Sequence, residues 1–99
     1  MILVIGHFRV PEENLEAIRP LMRKVIAATV LEEGCIEYAY SEDVAEPGLI
    51  RVSEKWRERA CLAAHFATPH MKTWQEERAG LGLYDRSIRV WDVGEGEAV

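Results

Sequence analysis

Two histidines, His65 and His70, stand five residues apart in "AAHFATPHMKTW" (Ala63–Trp74), on either side of a Thr-Pro step. The third and last histidine, His7, sits inside "ILVIGHFRV". Imidazole titrates near neutral pH, so each could carry a proton through a reaction, and each could ligate a metal. The spacing argues against a metal pair. Ligands on one helix face want i, i+4, whereas five residues turn a side chain by about 500° and leave the pair roughly 140° apart. No acidic or cysteine cluster at ligand spacing completes a set, so the sequence predicts no metal. The other group with chemistry is Glu54, which shares strand parity with Ile50, Val52 and Trp56 in "LIRVSEKW". A carboxylate in apolar company needs a partner, or its pKa rises. A buried acid beside a histidine is how an acid/base pair is built. Each residue also has an ordinary reading: an arginine partner or solvent for Glu54, a hydrogen-bonded core histidine for His65 or His7, a surface position for His70.

The elements that must position these groups are legible from periodicity. "ILVIGHFRV" is rich in β-formers, with Ile2, Val4 and Phe8 on one face and Leu3, Ile5 and His7 on the other. "PEENLEAIRPLMRKVIAATVLEEG" has helical spacing, with Leu15, Ile18, Met22, Val25 or Ile26, and Thr29 on one face. Pro20 predicts a kink within it, and Gly34 a stop. "CIEYAYSED" alternates as a strand that sets Ile36, Tyr38 and Tyr40 on one face. "LIRVSEKW" is a third strand. "RERACLAAHFA" is a short helix, and Thr68 with Pro69 restarts it as "TPHMKTWQEERAG". "YDRSIRVWDV" is the last strand. The order β-α-β-β-α-β is ferredoxin-like, an α+β fold. One domain is expected over residues 1–94, with 95–99 a flexible tail. The first strand is apolar on both faces, yet two helices can cover only one face of a four-stranded sheet. The second face predicts a homodimer joined sheet to sheet.

Composition narrows the partners. The chain has 99 residues, 48% of them apolar, and a formal net charge of −5 with no run of Lys or Arg. Nucleic acid and anionic membrane surfaces are poor partners for such a chain. No apolar stretch is long enough to span a bilayer, and "MILVIGHF" lacks a secretory leader's basic start. Cys35 and Cys61 stand alone, which suits reduced thiols and a cytoplasmic location. There is no phosphate loop, nucleophile elbow or dinucleotide fingerprint, and so no predicted cofactor.

"EEGCIEYAY" followed by "SEKWRERACLAAHFATPHMKTW" resembles the antibiotic biosynthesis monooxygenase family, and within it the small bacterial quinol monooxygenases. The pattern is E-x-W-x8-H-x3-P-H, from Glu54 to His70. The resemblance implies a dimeric α+β barrel with a pocket between sheet and helices in each subunit. It also implies cofactor-free oxidation of a quinol-like or polycyclic aromatic by O2. On that resemblance His65 and Glu54 would be catalytic, and His7, Tyr38, Trp56, Phe66, His70 and Trp74 would bind substrate. Two other readings stay open. The family's branch that processes a phosphorylated signalling sugar also uses a strand Glu and a helix His, which match Glu54 and His65. A non-catalytic dimeric module binding a small ligand is the other. The haem-degrading branch fits poorly, because its Asn and Trp positions fall on His7 and His65 and no histidine follows His70.

Overall fold

The computed structural model describes residues 1–99. The elements are β1 (Ile2–Arg9), α1 (Leu15–Thr29), β2 (Cys35–Glu42), β3 (Leu49–Trp56), α2 (Arg59–Phe66), α3 (Pro69–Arg78) and β4 (Tyr84–Asp92), with a 3-10 turn at Glu12–Asn14 before α1. The strands form one antiparallel sheet ordered β2-β3-β1-β4. This is the expected ferredoxin-like α+β fold. Residues 93–99 carry no helix or strand. No helix is long and apolar enough to cross a membrane.

Period-two and helical burial build the core. Ile2, Val4 and Phe8 of β1 and Ile50, Val52, Glu54 and Trp56 of β3 all turn toward the helices, and all are buried. Leu15, Ile18, Met22, Val25 and Thr29 of α1 pack down on them, the face expected from spacing. One cluster gathers Phe8, Ile18, Ile50, Met71 and Trp74. A second gathers Val4, Tyr38, Trp56, Cys61 and Leu62 beneath α2. Each fully buried aliphatic of this kind contributes about 1.5–3 kcal/mol.

Two local features depart from simple patterning. The β2–β3 ladder slips at Ile36, since Cys35 pairs with Trp56 but Glu37 pairs with Lys55. Cys35 therefore joins the face of Tyr38 and Tyr40, and Ile36 is turned out, half exposed. Strict alternation had put Ile36 with the tyrosines. Pro20 lies inside α1, but the helix runs on through it to Thr29.

The second sheet face is bare, with Ile5 and Trp91 exposed. β4 holds no buried residue at all.

Candidate active site

Glu54 stands on the helix-facing side of β3 and is only 7% exposed. Its Oε1 accepts a hydrogen bond from the Trp56 indole at 2.9 Å. Burial pushes its pKa up, and the indole hydrogen bond opposes that only in part. No hydrogen bond joins Glu54 to His65.

The carboxylate that does reach His65 is Glu32. One oxygen, Oε2, lies 2.6 Å from His65 Nδ1 and 2.7 Å from His70 Nε2. Three elements create this contact. The chain between α1 and β2 delivers Glu32, and Gly34 turns it with φ near +81°, where a Cβ would collide with the Cys61 thiol. His65 comes from the end of α2. Thr68 then ties α2 to α3: its hydroxyl donates to the His65 carbonyl at 2.8 Å and accepts from the Met71 N–H at 3.4 Å. The restart brings the two imidazoles to 6.1 Å between ring centres. An unbroken helix would have splayed them.

Glu32 assigns the protons on His65. With both histidines neutral, each donates to the carboxylate, so His65 carries its hydrogen on Nδ1 and a lone pair on Nε2. Nε2, on the far edge of the ring from Glu32, is buried without a hydrogen-bond partner. Such an atom is costly unless something uses it. Burial lowers the His65 pKa, outweighing the opposing pull of Glu32.

Glu32, His65 and His70 are also a set that could hold a cation, their ligand atoms lying within 4.8 Å of one another. The expectation that no acid completes a set with the histidines is thus corrected by Glu32. The spacing present is that of hydrogen bonds. Ligands about 2.0–2.1 Å from a tetrahedral zinc stand ~3.3 Å apart, so coordination would need this cluster to spread.

His65 and Glu54 border a cavity of about 190 Å³ between the sheet and the α2–α3 pair. Its walls are aromatic. Tyr38, Phe66 and Trp74 line it as expected, with Phe66 at the rim, and Phe8 and Tyr40 join them. The Tyr38 and Tyr40 hydroxyls are hydrogen-bonded at 2.7 Å. Burial raises both phenols, Tyr40 to about 12, so both keep their protons at neutral pH.

Three expected pocket residues lie elsewhere. Trp56 is fully buried behind the wall, its ring 4.9 Å from that of His65, and it braces Glu54 and His65 without lining the cavity. His70 faces a separate small hollow with Leu21, Val25 and Trp74. His7 is on the bare sheet face, 3.8 Å from Asp85, because β1 turns Val4 and Phe8 inward and its alternate residues outward. Conversely, sequence reasoning missed Glu32 and Arg78. Glu32 meets His65 across 33 residues and has no local signal. Arg78 had one, since it falls four residues after Trp74 on the same helix face.

A model of the antibiotic biosynthesis monooxygenase family matches residues 1–77. The chain belongs to this family. It is 31% identical to the probable quinol monooxygenase YgiN of Escherichia coli, over 95% of this chain and 99% of that protein. An uncharacterised protein of Synechocystis is 30% identical over 99% of this chain and 67% of its own length. Among solved structures, one from Deinococcus radiodurans, whose name proposes an antibiotic biosynthesis monooxygenase, superposes with a TM-score of 0.92 at 26% identity. It covers 100% of this chain and 98% of that one. Rv0793 from Mycobacterium tuberculosis gives 0.85 at 24% identity, covering 98% of each chain, which establishes the fold alone. Membership supports a monooxygenase type of function acting on a small molecule with O2.

Proposed function

We propose that this protein is a cofactor-independent monooxygenase of a small quinol-like aromatic, with His65 as the base that starts the reaction. The observation that carries this reading is the His65 imidazole, which borders the cavity with Nδ1 held by Glu32 and Nε2 buried without a partner. A hydroxy-aromatic becomes a strong electron donor once its hydroxyl loses a proton. His65 Nε2 accepts that proton, and Glu32 stabilises the imidazolium. The anion passes one electron to O2, and the resulting radical pair joins at a ring carbon bearing hydrogen. The hydroperoxide so formed loses water to leave a ketone. One oxygen atom stays on the ring, the other leaves as water, and all electrons come from the substrate. The aromatic side chains of the cavity orient the ring beside the base.

Cavity size favours the quinol end of the expected range. About 190 Å³ is below the ~300–1,000 Å³ usual for drug-sized ligands, so a bicyclic ring suits it better than a larger polycycle. Glu54, buried and drawn toward its protonated form, serves as a hydrogen-bond donor or second acid in this reading. The working unit is a homodimer of one domain per chain, spanning residues 1–94. Free Cys35 and Cys61 suit a reducing cytoplasm.

Oxygen uptake with 2-methyl-1,4-dihydroxynaphthalene under ¹⁸O2 tests the proposal. The expected product is a hydroxylated naphthoquinone carrying one labelled oxygen. Uptake no faster than the uncatalysed background across a panel of reduced naphthoquinones would overturn it.

A further inference from the structure

Arg78, the last residue of α3, lines the cavity and is half-buried, its guanidinium 5.0 Å from the centre of the Trp74 ring. It has no acidic partner. Arg9, Arg19, Arg51, Arg57 and Arg59 each hold a carboxylate, whereas Arg78 and its cavity neighbour Arg86 hold none. Burial lowers the Arg78 pKa, and the nearby Arg86 acts in the same sense. The cavity's single carboxylate, Glu54, accepts from Trp56 and forms no ion pair with Arg78. Arg86 of β4 lines the same cavity and adds a second positive charge.

His65 and Arg78 both line the cavity, with no direct contact between them. The His65 ring lies 5.3 Å from that of Tyr38 and the Arg78 guanidinium 5.0 Å from that of Trp74, so base and cation stand at the two ends of a row of aromatic rings. Between them the wall steps from Tyr38 to Tyr40 to Trp74 at ring spacings of 5.3 and 5.8 Å.

We propose that Arg78 forms an anion subsite, so that the natural substrate is a hydroxylated bicyclic aromatic bearing a carboxylate at the end remote from its reacting hydroxyl. This rests on the reading that the cavity takes a hydroxy-aromatic whose hydroxyl meets His65. A guanidinium fork matches a carboxylate in a two-pronged hydrogen bond, and a partly desolvated pair is stronger than one in water.

The test is anaerobic calorimetry, comparing 6-hydroxy-2-naphthoate with neutral 2-naphthol and with 1-hydroxy-2-naphthoate, whose two groups are adjacent. The expected result is that 6-hydroxy-2-naphthoate binds about ten- to a hundredfold more tightly than 2-naphthol, the range of a charge-assisted hydrogen bond. The adjacent isomer should gain little. Arg78→Gln should abolish the advantage while 2-naphthol still binds, and Arg78→Lys should keep part of it. Equal affinity for 6-hydroxy-2-naphthoate and 2-naphthol overturns the proposal. So does an advantage that survives Arg78→Gln in a variant with a native circular dichroism spectrum. Because no O2 is present, this outcome is independent of whether the protein oxidises its ligand.

Discussion

Burial and hydrogen bonding act on His65 in opposite senses, and burial wins. Its folded pKa lies below the ordinary 6.5. The groups facing it are Glu32, His70 and the hydroxyl-bearing Tyr38, with Glu54 across the cavity. Two pH effects follow. On acidification the unfolded chain takes up the His65 proton before the folded chain does, so this residue's contribution to stability is full above about pH 6.5 and is lost as pH falls toward the folded value. Activity, which needs a free Nε2, should stay level above pH 6.5 and fall on the acid side, measured as kcat/KM after subtracting autoxidation. Glu32→Gln keeps an oxygen for Nδ1–H but removes the charge. It should lower kcat less than loss of His65 itself and move the acid limb to lower pH, because the imidazolium loses its stabilising partner. Glu54 shifts the other way. Its folded pKa is above 4.5, so ionising it costs stability as pH rises through that window. Glu54→Gln should therefore raise the melting temperature at neutral pH and leave it unchanged near pH 4. An equal effect at both pH values would mean that burial does not strain the carboxylate.

At the scale of elements, the α2–α3 junction sets the site. Thr68 caps α3 and ties back to His65, so Thr68→Ala should cost about 1 kcal/mol in urea unfolding and reduce turnover by disturbing the His65–Glu32–His70 contact. A full loss of stability with no loss of turnover would separate the cap from the site. This junction was readable in advance, because Thr-Pro is a strong helix-start signal. The strand faces of Val4, Phe8, Val52, Glu54 and Trp56 were readable too, since burial follows a period of two. What escaped depended on tertiary pairing. The slip at Ile36 comes from how β2 meets β3, and Glu32 is carried to His65 by the turn at Gly34, whose use of positive φ no local pattern of apolar residues announces. His7 was legible as an outward residue of β1. Its assignment to the pocket came from the family resemblance and lost to strand parity.

At the scale of the molecule, the bare sheet face is the feature that asks for a cover. Ile5 and Trp91 lie exposed on β1 and β4, around a shallow depression of about 370 Å³ that includes His7, Arg51 and Arg89. A second copy of the chain is the cover this account predicts. Sedimentation should give a dimer at micromolar concentration, and a monomer would contradict it. Oxygen consumption with a reduced naphthoquinone, comparing the wild-type protein with His65→Ala, separates a catalytic His65 from a structural one. A general base is worth about 10²–10⁴-fold in rate. The prediction is a loss of that size in kcat, with a native circular dichroism spectrum. A His65→Ala protein that folds normally and keeps full activity would make His65 a structural residue and contradict the account.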